Sequence, residues 1–159
     1  MRPTSDALRE TLFNVLGTSV EGARVIDAFA GTGALGLEAL SRGAARVTFV
    51  EHDPRVTPTL ERNIAACGAN DACVIIRGDF VGARGRYGEF DLALLDPPYD
   101  VSDLTAVVRT AAAVIAPHGR VVLEHSRRRM SPEAVAGLTR TRVLTAGDSA
   151  LSFYEPATP

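Results

Sequence analysis

Asp96-Pro97-Pro98-Tyr99 has the residue types and spacing to hold a flat, nitrogen-rich ring. An exocyclic amine on such a ring is a poor nucleophile, because its lone pair is delocalised into the ring. Hydrogen bonds from the amine to Asp96 Oδ and to the Pro97 carbonyl would draw the nitrogen toward a tetrahedral, attacking geometry. The prolines lack an N–H and have a fixed φ, so they set where that carbonyl points. Tyr99 can stack on a base that has left its helix. The competing reading is a stiff turn with a capping Asp and a packed Tyr. What favours chemistry is position. The apolar run Phe90-Asp91-Leu92-Ala93-Leu94-Leu95 just before it reads as a buried strand, and the carboxyl edge of a parallel sheet is where α/β proteins bind ligands.

A second group lies upstream. Gly31-Thr32-Gly33-Ala34-Leu35-Gly36 matches G-x-G-x-x-G, and Glu51 follows Gly31 by 20 residues. This is also the dinucleotide spacing. Glycines let a backbone approach its ligand, and the helix start that follows favours an anion, either a pyrophosphate or a carboxylate. Glu51, ending the second strand, can accept both hydroxyls of a ribose. Asp27 separates the two ligands. A dinucleotide fold usually runs almost straight from strand to first glycine, whereas here Asp27 ends the strand and Ala28-Phe29-Ala30 intervene. An anionic Asp27 would repel a pyrophosphate but suits the ammonium of a methionine moiety. Asp79-Phe80, after the third strand, fits adenine, with the carboxylate accepting from its amine and the ring covering a face. For Asp79 the plain alternative is a helix cap. The ligand read from these residues is S-adenosylmethionine, lined by Asp27, Phe29, Gly31, Gly33, Glu51, Asp79 and Phe80. An NAD-dependent oxidoreductase is disfavoured by Asp27 and by the lack of sequence for a second, substrate domain.

The elements that must position these residues follow from periodicity. Leu8, Leu12, Phe13, Val15 and Leu16 fall on one helical face, behind Thr4, Ser5 and Asp6 as caps. Strands are expected at 24–28, 46–51, 73–77, 90–95 and 120–124. A helix should run from the glycine turn to Ser41. Another should start at Asp53-Pro54, its buried stripe being Val56, Leu60, Ile64 and Cys67. Leu104, Val107, Val108, Ala111 and Ile115 make a further stripe, stopped at Pro117-His118-Gly119. Ser131-Pro132 should open a short helix, and 141–146 with 150–154 a closing hairpin around Gly147-Asp148. Alternating strands and helices mean an α/β fold. With a terminal antiparallel pair, the layout is that of a class I S-adenosylmethionine-dependent methyltransferase, a Rossmann-like, mostly parallel, seven-stranded sheet.

Bulk properties narrow the classes. A chain of 159 residues, 46% hydrophobic and 23% charged, is expected to be one folded domain, 1–159. There is no apolar run long enough to span a bilayer and no signal-peptide core. Two cysteines, Cys67 and Cys73, make no disulfide framework, so a cytoplasmic location is expected. The histidines His52, His118 and His125 have no metal-ligand spacing, so no metal is expected. Net charge is −2 and every one of the 17 basic residues is arginine. Arginine forks phosphates and stacks on bases, which suits RNA. Arg84, Arg86 and the run Arg127-Arg128-Arg129 are the candidates for phosphate contacts, against the reading that they are solvated loop charges.

Arg2-Pro3-Thr4-Ser5-Asp6, Arg9-Glu10-Thr11-Leu12-Phe13-Asn14 and the stretch from Asp27 through Leu37-Glu38-Ala39-Leu40 to Ala44, together with Asp96-Pro97-Pro98-Tyr99, resemble the bacterial RsmD family of small-subunit (16S) rRNA guanine-N2 methyltransferases. The opening helix is the most family-specific part; the other two motifs are shared widely. The resemblance implies that Asp27, Gly31 and Gly33 line the methionine end of S-adenosylmethionine, Glu51 its ribose and Asp79 its adenine. It implies that Asp96, Pro97 and Tyr99 hold the target guanine, and that Thr4, Asp6 and Arg9 face the cofactor or target pocket. The expected partner is 16S rRNA within a small-subunit assembly particle, met by a monomer. Family members usually carry a basic, glycine-containing segment ahead of Arg-Pro-Thr, where this sequence starts at Met1-Arg2. The expectation is a chain without that segment and without its RNA contacts. The runner-up is an adenine-N6 methyltransferase acting on DNA or RNA, which shares the Pro-Pro-Tyr logic. The DNA enzymes normally need an added recognition region. An idle S-adenosylmethionine-binding module is a third reading, opposed by the intact Asp96 and Tyr99.

Overall fold

The computed structural model describes residues 6–82, 87–101 and 103–157. The element order is α1 (Asp6–Leu16), β1 (Arg24–Asp27), α2 (Ala34–Ser41), β2 (Arg46–Glu51), α3 (Thr57–Ala66), β3 (Cys73–Arg77), β4 (Phe90–Leu95), α4 (Leu104–Ala112), β5 (Ile115–Ser126), β6 (Ala134–Val135), β7 (Leu138–Ala146) and β8 (Ser149–Pro156). One sheet holds all the strands in the order β3-β2-β1-β4-β5-β8-β7-β6. Strands β3 to β5 pair in parallel, and β8, β7 and β6 continue the sheet antiparallel.

Alternation along the central strands sends side chains to two cores. Val25, Leu92 and Leu94 join Leu8, Leu12 and Phe13 of α1, Leu35 and Ala39 of α2, and Leu60 and Ile64 of α3 on one face. Ile26, Ala93 and Leu95 meet Leu104, Val107, Val108 and Ala111 of α4 on the other. Helices on both faces of a mainly parallel sheet are the doubly wound arrangement. Strand order reverses between β1 and β4, and that switch point is where such sheets open a crevice at the strands' carboxyl ends.

The α/β reading holds, with five local corrections. The sheet has eight strands rather than seven, and no helix starts at Ser131-Pro132. Ala136 (φ 50°) and Gly137 (φ 87°) both turn left-handed, so Val135 folds back onto Leu138 and β6 forms instead. The helix expected at Asp53-Pro54 begins later, at Thr57, because Asp53 O accepts from Val56 N and Thr57 N in a turn that precedes it. Cys67, placed on the buried stripe of that helix, is exposed. Ile115 belongs to β5 opposite Phe90, and Pro117-His118-Gly119 bulges out before Leu92 resumes pairing with Arg120. Among the described residues no helix is long and apolar enough to cross a membrane.

Candidate active site

Asp27 ends β1 at the switch point and is 1% exposed. Its Oδ2 accepts from Gly36 N at 3.0 Å inside the first turn of α2. Oδ1 is buried and has no hydrogen-bond partner among the described residues. Burial pushes this carboxyl up to about 8; the Gly36 N–H opposes the shift, and the nearby Asp96 and Glu51 charges add to it. A buried carboxylate oxygen without a donor is costly. A bound ammonium would satisfy it.

Glu51, 7% exposed at the end of β2, stands between two backbone amides. Gly31 N donates to Oε1 at 2.7 Å and Asp53 N to Oε2 at 2.9 Å. Those bonds fix the carboxylate while leaving lone pairs on both oxygens for further donors. The glycine turn beside it has two kinds of glycine. At Gly31 (φ 56°) an added Cβ would meet nothing within 4 Å, so the turn faces open space. At Gly36 it would come 2.4 Å from Phe49 Cε1 and 2.8 Å from Val47 Cγ1, so that glycine seats α2 on β2. Gly33 (φ 89°) does both, turning left-handed and lying against Leu60.

Asp79 is exposed just past the end of β3. Phe80 next to it is 2% exposed and packs edge-on to Phe29, with ring centroids 5.8 Å apart. The Tyr87 ring centroid lies 5.4 Å from that of Phe80, and its hydroxyl donates to Phe80 O at 3.0 Å. Phe80 and Phe29 thus form part of the core beneath Asp79, so the backbone that presents Asp79 is braced from within. These carboxylates, the open turn and the orphaned oxygen fit the polar ends of S-adenosylmethionine.

Across the switch point, Asp96 leaves β4 half-buried, followed by buried Pro97 and exposed Pro98. Tyr99 is 39% exposed, and its hydroxyl pairs with Ser149 Oγ at 3.0 Å. Val101 N donates to Pro98 O at 3.0 Å, closing the turn. A tight crevice beside it, without room for a water molecule as it stands, is lined by Pro97, Pro98, Tyr99, Leu104, Glu124, His125, Ser126 and Arg129.

The remaining expected residues separate. Asp6 and Arg9 pair with each other at 2.5 Å on α1, with Asp6 almost fully exposed. Thr4, Arg84 and Arg86 lie outside the described residues. Arg127 is exposed, donating to Gly147 O from its side chain and to Asp148 O from its backbone, which ties the β5 end to the β7–β8 turn. Arg129 is different: its guanidinium donates to Val101 O and so braces the turn after Tyr99.

Glu124, His125 and Ser149 were not singled out from sequence. Glu124 ends an apolar run in an acid, as Asp27, Glu51 and Asp96 do, so a signal for it existed. His125 had none, since its role is tertiary. Its Nε2 pairs with Ser152 Oγ at 2.8 Å, Ser152 with Ser131 Oγ at 2.7 Å, and Arg140 donates to Ser131 Oγ at 2.9 Å. Burial holds the imidazole below its ordinary pKa, and the charges of Arg129 and Arg140 act the same way. The chain of bonds ties β5, β8 and β7 behind the groove.

Comparison with known proteins bears on this geometry. The family described as Conserved hypothetical protein 95 matches residues 1–155. The Bacillus subtilis (strain 168) protein YlbH, provisionally named an rRNA methyltransferase, is 34% identical over 160 residues, 97% of this chain and 87% of that protein. The Ribosomal RNA small subunit methyltransferase D of Haemophilus influenzae is 42% identical over 103 residues, 62% of this chain and 53% of that one. The match therefore spans about half the length of the Haemophilus relative. Among solved structures, Escherichia coli yhhF, provisionally titled a methyltransferase, superposes with a TM-score of 0.88 at 29% identity, over 99% of this chain and 90% of that one. An RNA methyltransferase from Salinibacter ruber, solved with S-adenosyl-L-homocysteine, shares the fold alone at 17% identity and a TM-score of 0.76, over 99% and 96% of the two chains. The fold is that of class I methyltransferases.

Proposed function

The chain belongs to the RsmD family, the one described as Conserved hypothetical protein 95, and from that premise we propose that it methylates the exocyclic N2 amine of a guanine in small-subunit ribosomal RNA. The observation that carries the reading is the pairing of two acids across the switch point. Asp27 ends β1 with one buried oxygen lacking a donor among the described residues, and Asp96 leaves β4, its parallel neighbour, at the head of Pro97-Pro98-Tyr99. One side suits an ammonium-bearing donor and the other a planar amine.

S-adenosyl-L-methionine, when bound, supplies an electrophilic methyl group. Asp27 would hold its ammonium, Glu51 its ribose hydroxyls and Asp79 its adenine amine, while the open face at Gly31 gives the backbone room to approach. Asp96 and the Pro97 carbonyl accept from the guanine amine and direct its nitrogen lone pair toward the methyl. Tyr99 stacks on the base, its ring steadied by the Ser149 hydrogen bond. Asp96 takes up the proton that the amine sheds. Positioning and fixed charge carry most of the rate in such a site.

The test is labelled-methyl transfer from purified protein to undermethylated small subunits, followed by nucleoside analysis. Label is expected in N2-methylguanosine. Label in N6-methyladenosine, or none even with a longer version of the protein, would sink the assignment.

A further inference from the structure

In the parallel pair β4–β5, Leu95 lies opposite Leu123. The next residue on each strand is an acid, so Asp96 and Glu124 leave the last shared rung side by side at one edge of the sheet. Glu124 is 3% exposed and lines the tight crevice with Pro97, Tyr99 and Arg129, so a base edge reaches its carboxylate only when those walls part. A buried carboxylate must be answered by polar groups, and a groove wall is where a ligand can be one of them. A carboxylate offers about four acceptor positions, so it can accept from a ligand as well as from the protein.

The Watson–Crick edges of the purines differ at the atom next to the reactive amine. Guanine carries the N1–H donor beside its N2 amine, whereas adenine carries the bare N1 acceptor beside its N6 amine. Two adjacent carboxylates match the first pattern and oppose the second. We propose that Glu124 is the specificity-determining residue of the groove: its carboxylate accepts guanine N1–H while Asp96 and the Pro97 carbonyl accept from the N2 amine. The inference rests on the guanine reading given above and says which group enforces it. An adenine placed in the same groove would set its N1 lone pair against the Glu124 charge, with neither group satisfied. Unpaired polar groups in a closed site carry the larger share of discrimination.

The test starts from the guanine that the wild-type protein methylates in small-subunit RNA, located by nucleoside analysis. That residue is then replaced by 2-aminopurine, which keeps the exocyclic amine but has a bare N1. Wild type should prefer guanine by about 10- to 100-fold in kcat/KM, the range for one base-edge pairing. Glu124→Gln, whose side-chain amide can donate to a bare N1, should collapse or invert that preference. Glu124→Asp, which keeps the acceptor, should retain the preference at a lower rate. Cofactor binding by both variants at the wild-type level shows that they fold. A guanine-to-2-aminopurine ratio that stays at the wild-type value in Glu124→Gln overturns the assignment of Glu124 and leaves the guanine activity standing. Wild-type label in adenosine overturns both.

Discussion

Around β1 and β2 the site's carboxylates are held by main chain: Asp27 by Gly36 N–H and Glu51 by the amides of Gly31 and Asp53, all between 2.7 and 3.0 Å. Beyond β4 two side-chain contacts, Tyr99 to Ser149 and Arg129 to Val101 O, join the backbone bond from Val101 N to Pro98 O. Tyr99 is 39% exposed against 1% at Asp27 and 7% at Glu51, whereas Asp79 on the donor side is exposed and Glu124 on the target side is buried. Backbone donors cannot swing, so the first half presents a finished surface to a small ligand of constant shape. A base drawn out of folded RNA arrives from solvent and needs a mouth whose walls can move. The two halves thus differ in stiffness in the way their proposed ligands differ.

The widest separation is expected at Asp96. Asp96→Ala should cut methyl transfer by roughly 10²- to 10³-fold, the scale for losing a preorganised polar group at the reacting atom. Cofactor affinity, measured by calorimetry, should stay close to wild type, because the donor half is fixed by its own backbone. Loss of binding together with transfer would dissolve the distinction between the halves.

Asp27 sharpens the comparison through its proton. The free protein holds this carboxyl near 8 instead of 3.8, chiefly by burial. A raised folded pKa means that the folded chain binds the proton more tightly than the unfolded one. The contribution is therefore fully present below about 4 and is lost as pH rises from there to about 8. Asp27→Asn should remove that decline, as read from chemical denaturation at pH 5 and pH 8.5. A cation beside Asp27 favours its charged form, so cofactor uptake at pH 7 should release close to one proton. Titrations in buffers of unequal ionisation enthalpy measure it, and no release would mean that the ammonium lies elsewhere.

Within the glycine turn, Gly36→Ala should destabilise the fold by about 1–3 kcal/mol, because its Cβ would press into Phe49 and Val47. Gly31→Ala meets no atoms but must keep φ near 56°, a strain of about 1–2 kcal/mol. Urea midpoints should rank Gly36 at or above Gly31. The reverse order would mean that the turn, not the α2–β2 seat, limits the donor half.

The donor half was also the more legible of the two in sequence. β2, β3 and β4 run between the residues their apolar patterns indicate, since each is a short apolar run that ends at an acid, an arginine before glycine, or the Asp96 turn. Asp27 and Glu51 could be placed because a strand end and a fixed spacing locate them. The target half depends on contacts far apart in the chain. Nothing in Arg127-Arg128-Arg129 says that the third arginine reaches Val101 while the first reaches Gly147. β6 was missed because a left-handed alanine at 136 has no sequence signature, and Ile115 because a half-buried apolar residue satisfies a helical stripe and a strand alike. Thr4, Arg84 and Arg86, read as contacts for the cofactor pocket or RNA, fall outside the described residues.

The smallest expected effect tests whether the target half is held as loosely as its contacts suggest. Tyr99→Phe deletes the hydroxyl that meets Ser149 and keeps the ring. A neutral hydrogen bond is worth about 0.5–1.5 kcal/mol net, so KM for RNA should rise only several-fold. Tyr99→Ala also removes the stacking surface, worth about 1–3 kcal/mol per base, and should cost distinctly more. Cofactor affinity should be unchanged in both, because the hydroxyl's partner is Ser149 at the start of β8, away from the donor half. If Phe and Ala at this position cost the same, the hydroxyl rather than the ring holds the base. The mouth would then be as rigidly bonded as the donor half, and the contrast between them would fail where it is most exposed.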